Sequence, residues 1–126
     1  MVSFIAAGAV VKGQVSFSGE EITSLLNNGY DMFGKAKYAA AIGLFDKWLD
    51  TEKTGNRLQR ADAEYHAALA SMRITAPDAE YRMTRFVASW PGSERTNDAW
   101  LALGDYFYQN KNYRKASSYY RKVNRM

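Results

Sequence analysis

His66 is the single histidine of the chain, and cysteine is absent. Nucleophilic or metal chemistry would therefore have to be assembled from one imidazole and from carboxylates. The acidic neighbours Asp62 and Glu64 follow a spacing of two, which assigns them to helix faces other than that of His66. The ring is accordingly expected to face solvent or a groove. The pairs Asp46/Asp50 and Asp62/Glu64 fall in polar stretches, with no apolar pocket to raise a carboxyl pKa for general-acid work. They read as solvated faces. The nine glycines spell neither a phosphate-cradling loop nor a dinucleotide fingerprint. The expectation is a protein that is not an enzyme and uses no cofactor and no metal.

Charge and composition narrow the remaining classes. A chain of 126 residues fits one domain, and 47% hydrophobic with 14% aromatic residues favours a packed core over disorder. The net charge of +4 invites a nucleic-acid reading. After Asp105 there are no acids, while Lys111, Arg114, Lys115, Arg121, Lys122 and Arg125 crowd the end. A solvated last helix accounts for that distribution, so nucleic acid is disfavoured as a partner. A basic RNA-binding or membrane-surface module stands as an alternative reading.

The elements that would position these side chains follow from hydrophobic spacing. Residues 1–17 form a leader: Phe4 to Val11 is apolar, and Ala7-Gly8-Ala9 fits the small-residue cleavage site of a secretory signal. A strand or a disordered tail is the alternative there. Ser18 and Glu21 make a capping box. It opens a helix with Ile22, Leu25, Leu26, Gly29, Met32 and Phe33 on one face. After a turn at 34–37, a second helix carries Tyr38, Ala41, Ile42, Phe45, Trp48 and Leu49. A third helix is expected over Arg57–Arg73, striped by Tyr65, Ala68, Leu69 and Met72. Pro77 should preset the start of a fourth, with Asp78 and Glu80 facing its positive end. Ala79, Met83, Phe86, Val87 and Trp90 form its face. Ser93 and Glu94 should cap the fifth. There Trp100, Leu103, Gly104 and Phe107 share one side, and the polar turn 109–112 leads to Tyr113, Ala116, Tyr120 and Val123 facing back onto them.

Trp100, Leu103, Gly104 and Phe107, followed by Ala116 and Tyr120, resemble the tetratricopeptide repeat signature, with two aromatic exchanges. Gly29, Ala41 and Phe45 repeat the pattern more weakly, and Ala79, Met83 and Pro91 match its later half. In the middle unit Tyr65 takes the tryptophan place, or the register moves by two residues. The resemblance covers 18–126 in approximate repeats 18–55, 56–92 and 93–126. It implies an all-α fold of three antiparallel helix pairs stacked as a short right-handed solenoid, and a non-catalytic module that binds a peptide or protein segment. The implied groove is Leu26, Tyr30 and Phe33; His66, Ala70 and Arg73; and Leu101, Asp105 and Tyr108. Leu26 and Tyr30 replace the Lys and Asn of the carboxylate-clamping subset, so an apolar or extended peptide is the expected ligand.

The gap between Trp90 and Ala99 is similar to that of repeat proteins of the Gram-negative envelope. The expected location is therefore the periplasm or the outer membrane, associated peripherally with an envelope assembly, with the cytoplasm as the alternative. A spacer or N-terminal fragment of a longer array is a further alternative. In that case the last helix is expected to fray and to self-associate weakly.

Overall fold

The computed structural model describes residues 18–51 and 56–124. The secretory-signal reading of the leader lies outside them. The described residues form six helices and no strand: α1 Gly19–Gly34, α2 Tyr38–Thr51, α3 Arg57–Arg73, α4 Ala79–Ser89, α5 Thr96–Gln109 and α6 Tyr113–Tyr120. Each helix packs on the next in sequence, most lightly between α4 and α5. Two further contacts, α1 with α3 and α3 with α5, join alternate helices.

Helix starts obey local chemistry where a good cap is present and tertiary contacts where it is not. Glu21 donates its amide to Ser18 Oγ at 3.1 Å and its carboxylate accepts from the Ser18 amide at 2.8 Å, completing the capping box. Asn56 caps α3 through the amides of Leu58 and Gln59. The fourth and fifth helices begin later than their sequence signals. Asp78 makes no cap to α4, because its carboxylate is held by Arg82 Nε at 3.0 Å. Pro77 sits in the preceding turn. Ser93 closes a tight turn on the amide of Arg95, so α5 starts at Thr96 without a side-chain cap. The sixth helix stops at Tyr120, and Val123 lies in the turn beyond it. Asn97 then binds both the amide and the carbonyl of Asn124, at 2.9 and 3.1 Å, tying that end to the start of α5.

The three turns α1–α2, α3–α4 and α5–α6 share one geometry. Ala36, Thr75 and Lys111 have φ of 61°, 52° and 64°. The amide two residues beyond each helix cap reaches back to Met32, Ser71 and Phe107 at 2.8–2.9 Å, and the amide before it to Phe33, Met72 and Tyr108. This is the Schellman closure, in which the left-handed residue is ordinarily glycine. None of the three is glycine, and β-branched Thr75 is the most strained of them. At 109–112 the left-handed conformation falls on Lys111, while Asn112 caps α6, so the asparagines do not serve the turn in the way their residue type suggests.

Gly29, Ala68 and Gly104 each stand seven residues before these left-handed positions. A Cβ on Gly29 would meet the Phe45 ring at 2.8 Å, and one on Gly104 the Tyr120 ring at 2.4 Å. Ala68 carries a Cβ instead; the position nine residues after Thr75, matching Phe45 and Tyr120, is Thr84, and slender Met83 beside it is buried in the same cluster as Ala68. Glu64, one residue before Tyr65, stands eleven residues before Thr75, as Trp100 stands before Lys111.

Two hydrophobic clusters meet on α3. Leu26, Ala41, Phe45 and Trp48 pack on Ala63 and Ala67; Met83, Phe86, Ala99 and Leu103 pack on Ala61, Tyr65, Ala68 and Met72. The third helix is thus buried on two sides, well beyond the single stripe its sequence suggests, because alanines admit neighbours on both. In α6, Ala116 is buried and the Tyr120 ring lies against Gly104 as expected, but Tyr113 departs from its expected facing. Tyr113, at the start of α6, is exposed and packs edge-on against Tyr108, whereas Tyr119 lies between Trp100 and Phe107, stacked at 5.9 and 5.8 Å.

Candidate functional site

Asp62 is the hub of the densest polar cluster. It sits one turn into α3, where its side chain is 31% exposed, and it accepts from three different elements. Tyr30 of α1 donates its hydroxyl to Oδ2. Arg95, just ahead of α5, contacts Oδ1 at 3.0 Å and lies 4.9 Å over the Tyr65 ring. His66 Nδ1 is 3.2 Å from Oδ2 and 2.8 Å from the Asp62 carbonyl. Both neighbours of Nδ1 accept, so this nitrogen carries the proton. The expectation that Asp62 and His66 occupy different faces is corrected here. They are four residues apart, the separation that brings helical side chains together.

Burial raises the Asp62 pKa, but hydrogen bonds from His66 and Tyr30, with the charges of His66 and Arg95, outweigh it and hold the carboxyl at about 2. Tyr30 shifts the other way. Burial first, then the bond to Asp62, push its hydroxyl above the ordinary tyrosine range, so it stays a donor. The resulting imidazole–carboxylate pair has the orientation used by a general base. Around the ring, however, stand Tyr30, Phe33, Phe45 and Tyr65, with centroids 5.1–6.3 Å away. Of the two hydroxyls among them, that of Tyr30 is committed to Asp62. The chemistry this supports is positioning: one carboxylate fastens α1, α3 and the approach to α5.

The nine residues of the expected groove separate into groups. Tyr30, Phe33 and His66 come together as interlocking rings. Leu26 and Ala70 are buried. Arg73 reaches Tyr38, donating to its hydroxyl at 3.0 Å and lying over its ring. Leu101 and Tyr108 are exposed on α5. Asp105 accepts from the Tyr120 hydroxyl at 2.6 Å and pushes that phenol up to about 12.

Beside Asp62 opens a cleft of about 920 Å³, walled by Leu26, Asn27 and Tyr30 of α1, by 57–59, Ala61 and Asp62 of α3, by 90–95 between α4 and α5, and by Asp98. Arg57 covers the Trp90 ring at 5.1 Å. The buried Trp90 indole N–H has no hydrogen-bond partner among the described residues. Asn27, Arg57, Gln59, Trp90 and Arg95 were not anticipated from the sequence. The resemblance pointed here through Leu26, Tyr30 and His66, and the four-residue spacing of Asp62 and His66 is a further signal; Arg95 arrives from a distant loop and left none.

Among the described residues no three His, Asp or Glu side chains converge to hold a metal, and no helix is long and apolar enough to cross a membrane. No family model, no curated protein and no solved structure matches the chain.

Proposed function

We propose that this protein is a non-catalytic interaction module of the tetratricopeptide kind, with three antiparallel helix pairs stacked as a right-handed solenoid. A peptide segment would lie in the cleft between α1, α3 and the start of α5. The observation that carries this reading is the threefold recurrence of one turn, each preceded at the same distance by a small residue, Gly29, Ala68 or Gly104, with an aromatic ring packed against both glycines. Independent folds of a helical chain have no reason to repeat both features at matched offsets, whereas stacked units do. The cleft suits a peptide segment because it combines apolar Leu26 and Trp90 with hydrogen-bonding Asn27, Gln59 and Arg57. Residence in the bacterial envelope, beside an envelope assembly, belongs to the same proposal and rests on the gap between Trp90 and Ala99 together with the apolar stretch Phe4 to Val11.

Selection of a random peptide library displayed on phage against the immobilised protein tests the binding function. Enriched peptides should compete for one site and lose about 5–10-fold in affinity on Arg57→Ala or Gln59→Ala. Enrichment of no peptide, or affinities indifferent to both substitutions, would overturn it.

A further inference from the structure

The three Schellman turns meet along one edge of the molecule. Arg73 at the second turn binds Tyr38 at the first, and Glu80 beyond the second turn binds Lys115 at 2.7 Å and Tyr119 at 2.5 Å beyond the third. Lys35, Lys37, Arg73, Lys111 and Arg114 are all exposed on the turns and the first residues after them. The carboxylates close by are already engaged: Asp31 with Lys35, Asp78 with Arg82, and Glu80 with Lys115. Between the cations stand Ile74, 44% exposed, and Tyr108 and Tyr113, each 57% exposed. At the other end of the helices exposed Arg57, Arg121 and Lys122 are mixed with exposed Glu20, Glu21, Glu94 and Asp98. The turn edge differs in that its nearby carboxylates are already paired and its cations stand beside apolar tips.

We propose that this turn edge docks on the surface of an anionic lipid bilayer. Lys37, Arg73, Lys111 and Arg114 would meet the headgroups, and Ile74, Tyr108 and Tyr113 would enter the interfacial layer. Charge complementarity selects an anionic partner, and the apolar residues select lipid over nucleic acid. Aliphatic Ile74 offers a base nothing to stack on. Tyr108 and Tyr113 pack edge-to-face on one another at 5.3 Å. Tyrosine at the headgroup level, with aliphatic side chains just beneath it and cations around it, is the composition of a peripheral membrane contact. The attraction is short-ranged and salt-sensitive. Lipid docking at this edge does not require a peptide in the cleft, which lies against other residues.

Cosedimentation with vesicles of phosphatidylcholine, with and without phosphatidylglycerol, tests it. Binding should require phosphatidylglycerol and weaken as salt is raised. The combined reversals Lys37→Glu, Lys111→Glu and Arg114→Glu should reduce partitioning more than ~10-fold, since each basic side chain near an anionic surface adds its own share of the attraction. Equal charge changes elsewhere, Lys47→Glu, Arg85→Glu and Arg121→Glu, should reduce it far less. Ile74→Ser should weaken binding without changing its salt slope. All five turn-edge cations are exposed, and circular dichroism checks that each variant keeps its helix content. Failure to bind anionic vesicles, equal weakening by the two charge sets, or binding of single-stranded polyuridine in place of vesicles would overturn the proposal.

Discussion

Asp62 shows how one side chain can hold several elements at modest cost. Its carboxylate is half-buried, which alone would favour the neutral form, yet three donors from separate parts of the chain reverse that preference. The folded-state pKa of about 2 lies below the ordinary 3.8, so the ionised form is the one that folding stabilises. Its contribution is complete above about pH 4 and disappears as pH falls towards 2. The uncorrected shift corresponds to roughly 2.4 kcal/mol, and solvent screening of a partly exposed group reduces this to about 1–2 kcal/mol. Urea unfolding of the protein and of Asp62→Asn across this window checks the sign. The two should differ most near neutral pH and converge as Asp62 protonates; a constant gap down to the folded-state pKa would assign the difference to something other than the charge.

At the level of the helices, the small residues facing large partners decide how closely neighbours approach. Two glycines perform the same service in unequal surroundings. The ring opposite Gly104 is nearer, but Tyr120 is half-exposed at the end of the short α6 and can move aside. The ring opposite Gly29 belongs to Phe45, which is fully buried and cannot. Gly29→Ala should therefore cost about 2–3 kcal/mol and Gly104→Ala about 1 kcal/mol, despite the shorter distance at the second site. Thermal or urea denaturation of the two variants measures the order. A larger destabilisation at Gly104 would mean that the end of α6 is as rigid as the core.

Helix positions were legible in the sequence because periodicity reports burial on one face, and Ser18/Glu21 behaved as the capping box requires. The turns were less legible. Their left-handed residues are Ala36, Thr75 and Lys111, types that advertise nothing. Two-sided burial of α3 was hidden by its alanines, whose small size fits several environments. At the candidate site, the ring cluster Tyr30, Phe33 and His66 emerged from the resemblance. Arg95 and Trp90 did not, because loop residues reach a site through tertiary geometry that no local pattern records.

For the whole molecule, one scaffold carries two proposed surfaces: a cleft beside Asp62 that takes a peptide, and a turn edge that rests on anionic lipid. The scaffold supports both if the alternate helices α1, α3 and α5 share a face, in keeping with the contacts of α3 to both of the others and the reach of Asp62 to Tyr30 and Arg95. Amide chemical-shift mapping of the isotopically labelled protein, titrated with a library-selected peptide, decides whether that shared face is the binding surface. Saturable shifts confined to Asn27 and Tyr30 on α1, Gln59 and Asp62 on α3, and Arg95 and Asp98 at α5 are the expected result. Saturable shifts centred instead on α2, α4 and α6, or scattered with no common site, would contradict it.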